Sequence, residues 1–197
     1  MKVNEIFHSL QGEGRWTGTP SVFIRLSGCN LRCPFCDTDH QDGQELTEDE
    51  IATRAAAFPS RHVVVTGGEP ALQLTATLID ALHAAGKFVA VETNGTHPLP
   101  ANVDWTTLSP KFAFVERGAN VVLPRCDELK AVFTSTKAFA AVELAYLTVP
   151  ATHYYIQPCD TGDAAHNRDV TEAAIQWCLA HPRWSLSLQT HKLLGIA

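Results

Sequence analysis

The sequence predicts an α/β fold, namely an open partial (β/α) barrel with about six mostly parallel strands and some reduced crossover helices. Short apolar segments alternate with segments of helical periodicity along the chain, and this alternation is typical of a parallel sheet with right-handed crossovers. The number of such units is below the eight of a closed barrel. Several connections between strands are short, so some crossover helices are expected to be missing.

The predicted strands are short and apolar. The first covers residues 20–26 (PSVFIRL). The second covers residues 61–66 (RHVVVT), a continuous apolar run of the kind that parallel strands buried on both faces show. Further strands are predicted at 87–92, 103–108, 128–133 and 153–157, and residues 184–188 fit a last short strand.

The predicted helices follow these strands. Thr47 and Glu50 form a capping box that opens a helix reaching to about Phe58. Helical periodicity then runs from Leu72 to Ala85 and stops at a glycine. Two more helices are predicted at 136–144 and 170–180.

Length and composition favour one globular domain over residues 1–197. The chain is 45% hydrophobic and 18% charged, which provides a core and argues against disorder. Its formal net charge of −6 gives no basic footprint for nucleic acid or an anionic membrane. The N-terminus shows no apolar signal segment and no apolar run is long enough to span a bilayer, so we expect a cytoplasmic, soluble protein.

Five polar loops directly follow predicted strands: the cysteine-containing loop, GGEP, ETNG, SPK and QPCD. In parallel α/β folds the carboxyl ends of the strands form the ligand-binding face. We therefore expect these loops to converge on one site.

Three of the six cysteines lie within eight residues, Cys29, Cys33 and Cys36, in the spacing C-x3-C-x2-C. Three thiolates on a four-iron cube leave one iron open to a small chelating ligand. Two alternatives stay open from the cysteines alone: a structural zinc site with His40 as fourth ligand, and an electron-transfer ferredoxin with a distant fourth cysteine. The scattered cysteines are interpreted as packed thiols, Cys126, Cys159 and Cys178.

The cysteine spacing resembles the cluster motif of the radical S-adenosylmethionine superfamily. Gly67-Gly68-Glu69-Pro70, after a buried strand, resembles the GGEP motif of that superfamily, which binds the methionine end of the cofactor. The alternative for the second motif is an ordinary Gly-Gly turn. Both motifs occur in the expected order on consecutive βα units.

Further segments narrow the resemblance. They are Ser9-Leu10-Gln11-Gly12-Glu13-Gly14, Arg25, Cys36-Asp37-Thr38, Glu92-Thr93-Asn94-Gly95, Ser109-Pro110-Lys111, Gln157-Pro158-Cys159-Asp160 and Gln189-Thr190-His191-Lys192. Spread over the whole chain, this set is similar to the 7-carboxy-7-deazaguanine synthases, a radical S-adenosylmethionine family.

The resemblance implies a set of site residues. Cys29, Cys33 and Cys36 would ligate the cluster, and Thr38 would bind Mg²⁺. The positions implied to bind the cofactor are Gly67, Gly68, Glu69, Thr93, Asn94, Ser109, Pro110, Lys111, Gln157, Pro158, Cys159 and Asp160. The positions implied to bind the substrate are Leu10, Gln11, Gly12, Glu13, Arg25, Thr66, His191 and the C-terminal Ala197.

The residues alone leave several of these roles open. Arg25 either points inward to meet an anion or faces solvent from the other side of its strand. Thr38 could be a turn-capping hydroxyl, Lys111 a solvated lysine and His191 a surface histidine. Gln11 and Glu13 carry edges that could pair with the donors and acceptors of a pterin.

The resemblance also implies an activity: a radical lyase that contracts the ring of 6-carboxy-5,6,7,8-tetrahydropterin to give 7-carboxy-7-deazaguanine and ammonia, for queuosine and other 7-deazapurines. Its cofactors would be a [4Fe–4S] cluster, S-adenosyl-L-methionine and Mg²⁺. Its partners would be an electron donor such as flavodoxin or ferredoxin and a second copy in a homodimer. The alternatives are an activase of a glycyl radical enzyme and, from another class, a zinc-stabilised binding module.

Overall fold

The computed structural model describes residues 1–36, 38 and 42–196. The strands are β1 (Lys2–Leu10), β2 (Pro20–Leu26), β3 (Gln44–Glu45), β4 (His62–Gly67), β5 (Phe88–Thr93), β6 (Trp105–Leu108), β7 (Cys126–Phe133), β8 (Ala151–Pro158) and β9 (Ser185–Leu186). The helices are α1 (Glu48–Ala56), α2 (Ala76–Ala84), α3 (Thr136–Tyr146), α4 (Ala164–Ala180) and α5 (Thr190–Leu194). No helix in the described part of the chain is long and apolar enough to cross a membrane.

These strands form one sheet in the order β3-β1-β2-β4-β5-β6-β7-β8-β9. From β2 to β9 every neighbouring pair is parallel, whereas β1 is antiparallel to both β2 and β3. Within the described residues the edge strands β3 and β9 do not pair with each other, so the sheet stays open. The prediction of an open, partial barrel is confirmed.

One face of the sheet, called the helix face, carries the apolar core. Beneath α1 and α2, the valines and isoleucines of β2, β4 and β5 pack with Ile51, Leu78 and Leu82. Beneath α3 and α4, Leu129 and Phe133 of β7 belong to a second cluster with Ile156 of β8, Phe139 and Trp177. Burial of these side chains, at about 25 cal/mol per Å² of apolar area, holds the helices on the sheet.

The opposite face, called the cavity face, is formed by the alternate residues of the same strands, because side chains along a strand point to opposite sides. Its upper part lines a cavity. Its lower part, near the amino ends of the strands, is aromatic. Trp16, from the loop between β1 and β2, lies 5.0 Å from the His62 ring and 5.3 Å from the Trp105 ring between centroids. This loop therefore fills the bottom of the half-barrel.

Several boundaries differ from the sequence predictions. Strand β1 was missed because a bulge between Val3 and Glu5 interrupts the alternation of apolar and polar residues. Helix α2 begins at Ala76, not Leu72, because Thr75 caps it through a hydrogen bond from Leu78 N–H. Helix α4 begins well before residue 170, capped by Asp163. The missing crossover helices lie between β5 and β6 and between β6 and β7.

Candidate active site

A cavity of about 680 Å³ opens at the carboxyl ends of the parallel strands. Nearly all predicted site residues line it. Pro110 does not; it is buried between Ser109 and Lys111, which do line it. Ala197 lies outside the described residues. The polar loops that follow the parallel strands therefore line one cavity, as expected for a sheet of this kind.

The cysteine loop forms one wall of this cavity. Cys29, Cys33 and Cys36 all line it, and Cys36 is exposed. The Leu31 N–H lies 3.4 Å from Cys29 Sγ and donates a hydrogen bond to it. Burial raises the pKa of the Cys29 and Cys33 thiols above the ordinary value. Ligation to a metal would therefore have to displace their protons, as metal–thiolate bonds do.

The three thiols are compatible with an iron–sulfur cube. In the part of the chain that the structure describes, no three His, Cys, Asp or Glu side chains are placed to share one metal ion. A cube holds its thiolates on separate irons, so the sulfurs need not meet at one point. His40, the fourth ligand of the zinc alternative, lies outside the described residues.

The GGEP turn packs directly under the cysteine loop. A Cβ on Gly68 would lie 1.9 Å from the Gly28 carbonyl oxygen, so only glycine allows this approach of the two backbones. Glu69 is 1% exposed, and its carboxylate accepts hydrogen bonds from Thr93 Oγ1 at 2.6 Å and Asn94 N–H at 2.7 Å. Glu69 thus connects the GGEP turn to the ETNG turn and fixes the position of one turn relative to the other.

Two more loops complete the predicted cofactor side. The Lys111 ammonium donates to the Ser109 carbonyl at 2.8 Å and to Ser109 Oγ at 2.6 Å. Burial lowers the pKa of Lys111, and the thiol of Cys33 lies within its electrostatic reach. Asn94 Nδ2 donates to Asn30 Oδ1 at 3.1 Å and so connects the ETNG turn to the cysteine loop.

The predicted substrate side comes from β1, β2 and the loop between them. Gln11 Nε2 donates to Glu92 Oε1 at 3.0 Å. Arg25 lies on the cavity face, and its Nε donates to Glu5 Oε1 at 2.7 Å. The solvent-facing alternative for Arg25 is therefore wrong, and the anion that meets its Nε is Glu5. The guanidinium carries further N–H groups that can receive a second anion.

The C-terminal tail closes over this side. Thr190 donates to the Gly12 carbonyl through both its N–H, at 3.0 Å, and its hydroxyl, at 2.9 Å. The His191 ring lies so close to Gly12 that an added Cβ there would be 2.2 Å from Nδ1. Lys192 Nζ pairs with Asp160 Oδ2 at 2.9 Å. The tail thus contacts both the loop between β1 and β2 and the loop after β8.

The sequence prediction assigned no role to four charged residues that line the cavity: Glu5, Glu92, Lys130 and Lys192. Glu92 belongs to the ETNG segment and Lys130 to the predicted strand at 128–133. The signal was present: in the segment Glu128-Leu-Lys130, two charged residues at spacing two interrupt an apolar strand. Charged residues in that pattern share one face, which here is the cavity face.

Comparison with known proteins extends this picture. The model of the Radical SAM superfamily matches residues 23–108, which include the three cysteines and the GGEP turn. The 7-carboxy-7-deazaguanine synthase of Bacteroides thetaiotaomicron is 48% identical over 99% of this chain and 98% of its own. The synthase of the same name from Nitratidesulfovibrio vulgaris is 45% identical, with the same two coverages.

A solved structure agrees with these relatives. QueE from Escherichia coli superposes with a TM-score of 0.79 at 30% identity, covering 95% of this chain and 92% of that one. These matches favour the main interpretation over a glycyl-radical activase or a zinc-stabilised module. The chain therefore belongs to the 7-carboxy-7-deazaguanine synthase family of radical S-adenosylmethionine enzymes.

Proposed function

We propose that this chain converts 6-carboxy-5,6,7,8-tetrahydropterin to 7-carboxy-7-deazaguanine and ammonia, a step in the synthesis of queuosine and other 7-deazapurines. One observation carries the proposal: the cysteine loop and the substrate-type residues Gln11, Glu13 and Arg25 line the same cavity. A radical generated at the cluster must reach the substrate without meeting water, and a shared cavity supports that.

The three cysteines would hold a [4Fe–4S] cluster with one iron free for the methionine end of S-adenosylmethionine. When bound, these groups supply the carbon-centred radical that removes a hydrogen atom from the substrate. Substrate and product differ by one ammonia, so there is no net oxidation and the hydrogen atom is returned at the end. The chain's own residues bind, orient and exclude water.

The cofactor-binding role falls to the loops after β4, β5, β6 and β8. The Gly67-Gly68 backbone can approach the methionine moiety closely because neither residue carries a side chain. Ser109 and Lys111 present a hydroxyl and an ammonium beside the cysteine loop. Gln157 is oriented by Ser187 Oγ, which donates to its Oε1 at 2.8 Å.

The substrate-binding role falls to the residues on the opposite wall. Arg25 would meet the substrate carboxylate through a charge-assisted pair. Gln11 and Glu13 would bind the pyrimidine edge, and Thr66 neighbours Arg25 in the parallel register of β2 and β4. Thr38 would contribute a neutral oxygen to Mg²⁺, a hard cation that prefers oxygen ligands. His191 and the carboxylate of Ala197 would close the site from the tail.

Three further parts belong to the same proposal. The chain acts as one domain, works as a homodimer and takes electrons from a donor such as flavodoxin or ferredoxin. We place it in the cytoplasm, because Cys126 and Cys178, which the cluster does not use, are free thiols and reducing compartments keep thiols in that state.

The proposal is tested by anaerobic incubation of the reconstituted protein with S-adenosylmethionine, a reductant, Mg²⁺ and the carboxypterin. Mass spectrometry should detect 7-carboxy-7-deazaguanine. Cys33→Ala should abolish the formation of 5′-deoxyadenosine, whereas Cys178→Ala, which changes a thiol on α4 outside the cavity, should retain it. Formation of 5′-deoxyadenosine by Cys33→Ala at the original rate would show that the cluster assignment is wrong.

A further inference from the structure

Lys130 stands at the centre of β7, on the cavity face, and is 5% exposed. Its neighbours along the strand, Leu129 and Ala131, point to the opposite face and belong to the apolar core. A buried ammonium is costly unless it is paired and hydrogen-bonded. Its partners therefore show what the lysine is for.

The ammonium lies between two carboxylates of the cavity. It donates a hydrogen bond to Glu13 Oε2 and lies 3.6 Å from Glu92 Oε2. The second oxygen of Glu13 accepts from Gln189 Nε2 at 3.0 Å. Lys130 thus connects the loop between β1 and β2, which carries Glu13, to β5, which carries Glu92. Glu13 in turn contacts the C-terminal tail through Gln189.

Without Lys130, carboxylates would outnumber ammonium groups in this part of the cavity. Three carboxylates face this part of the half-barrel, from Glu13, Glu92 and Glu128. Lys111, on the loop after β6, is a second cation within electrostatic reach. His191, on the tail, packs against Gly12 at the edge of this group. Without the Lys130 ammonium, the low-dielectric interior would favour protonation of the carboxylates.

The ionisation of Glu13 depends on this arrangement. Burial alone would raise the pKa of its carboxyl group, but the charge and hydrogen bond of Lys130 bring the pKa down to about 2. Burial alone would lower the pKa of Lys130, yet the carboxylates raise it well above its ordinary value. Both groups therefore stay charged at any working pH.

We propose that Lys130 is a positioning residue, which keeps Glu13 ionised and aimed into the cavity so that it accepts hydrogen bonds from N–H groups of the substrate. This inference rests on the proposed function, because the 2-amino-4-oxo-pyrimidine edge of the carboxypterin supplies such N–H groups. An ionised carboxylate only accepts hydrogen bonds, whereas a protonated one also donates. A site built this way rejects analogues that lack the amino group, since its buried acceptor would be left unpaired.

The test measures equilibrium binding of the carboxypterin and of its 2-deamino analogue between about pH 5 and pH 8, by titration calorimetry. In the parent protein Glu13 should add nothing to the pH dependence, which should come from the ligand and from Glu128, whose pKa of about 7 lies in this range. Lys130→Met should bind the carboxypterin about tenfold more weakly, the loss of one hydrogen bond to a charged group. The deficit should be largest at low pH and shrink as pH rises, because Glu13 would then titrate.

Three comparisons make the outcome specific. Lys130→Met should discriminate less between the two ligands than the parent does. Lys130→Arg, which keeps the charge, should restore the parent pH profile. Lys137→Met, an exposed lysine on α3, should change nothing. If Lys130→Met does not fold, Lys130→Gln, which keeps a donor without the charge, carries the same expectation.

The two possible failures are distinct. Parent protein that binds no carboxypterin contradicts the proposed function and this inference together. Parent protein that binds it, with Lys130 variants that match it in pH profile and discrimination, contradicts the role of Lys130 alone.

Discussion

The two faces of the sheet, built from the same strands, differ in chemistry. On β7, Leu129, Ala131 and Phe133 are fully buried in the apolar core beneath α3 and α4. The alternate residues Glu128 and Lys130 are buried almost as deeply on the cavity face, but their side chains are ionisable. Side chains on the two faces are therefore buried to a similar extent, but those on one face are apolar and those on the other are polar.

This difference indicates that one face of the sheet stabilises the fold and the other binds ligands. Apolar burial on the helix face lowers the free energy of the folded state. Burial of charges on the cavity face opposes folding unless each charge is matched, and such pairs are weak evidence for stability. We infer that the cavity face retains its ionisable residues for ligand binding. Apolar burial on the helix face offsets the free energy that burying them costs.

The largest expected effect is on the helix face. Leu129→Ala should lower the free energy of unfolding by about 2–5 kcal/mol, because it removes a fully buried side chain and leaves a cavity. Urea denaturation measures the loss. Leu179→Ala, which truncates a leucine of α4 that is 72% exposed, is the matched control and should change little. Equal losses for the two variants would contradict the assignment of the core.

A smaller effect of opposite sign is expected on the cavity face. Burial raises the pKa of Glu128 to about 7, although Lys130 and the Arg15 N–H oppose the shift. A carboxyl group with a raised pKa in the folded state costs stability as pH rises from about 4.5 to about 7, where the unfolded chain has already lost the proton. The cost at the upper end is on the order of 3 kcal/mol.

Glu128→Gln cannot lose a proton, and its amide oxygen can still accept from Arg15 N–H. Its stability relative to the parent should therefore increase over this pH window and level off above about pH 7. Denaturation curves at several pH values give the difference. A constant difference from about pH 4.5 to 8 would show that Glu128 has no raised pKa in the folded protein.

The smallest expected effect concerns a helix that covers the helix face. Thr47 Oγ1 accepts from Glu50 N–H at 3.2 Å, and the Glu50 carboxylate accepts from Thr47 N–H at 2.8 Å. Thr47→Ala should cost about 1 kcal/mol of unfolding free energy. Because neither Thr47 nor Glu50 lines the cavity, binding of the carboxypterin by the folded protein should stay unchanged. A loss of binding would mean that the two faces are coupled.

Much of the site could be predicted from the sequence, because strand ends are easy to recognise. GGEP and SPK each follow a short apolar run, and parallel topology then brings such turns to one edge. The capping box of α1 was also readable, since Thr47 and Glu50 carry the complete pattern.

The remainder depended on tertiary structure. The early start of α4 was hidden because its first two turns, from Ala164 to Asp169, contain no apolar periodicity and are fixed by the Asp163 cap. The contact of His191 with Gly12 joins residues that are distant in sequence, and no local pattern encodes it. The pairing of Lys130 with Glu13 and Glu92 also joins residues that are distant in sequence. It forms only when β5, β7 and the loop between β1 and β2 pack together.

The central claim is that Cys29, Cys33 and Cys36 hold a four-iron cluster with one iron left open to the cofactor. Mössbauer spectroscopy of anaerobically reconstituted protein, before and after addition of S-adenosylmethionine, tests it directly. We predict a [4Fe–4S] spectrum in which a single iron changes its parameters when the cofactor is added. A protein without iron and sulfide, or a cluster whose four irons are all unaffected by the cofactor, would contradict the claim.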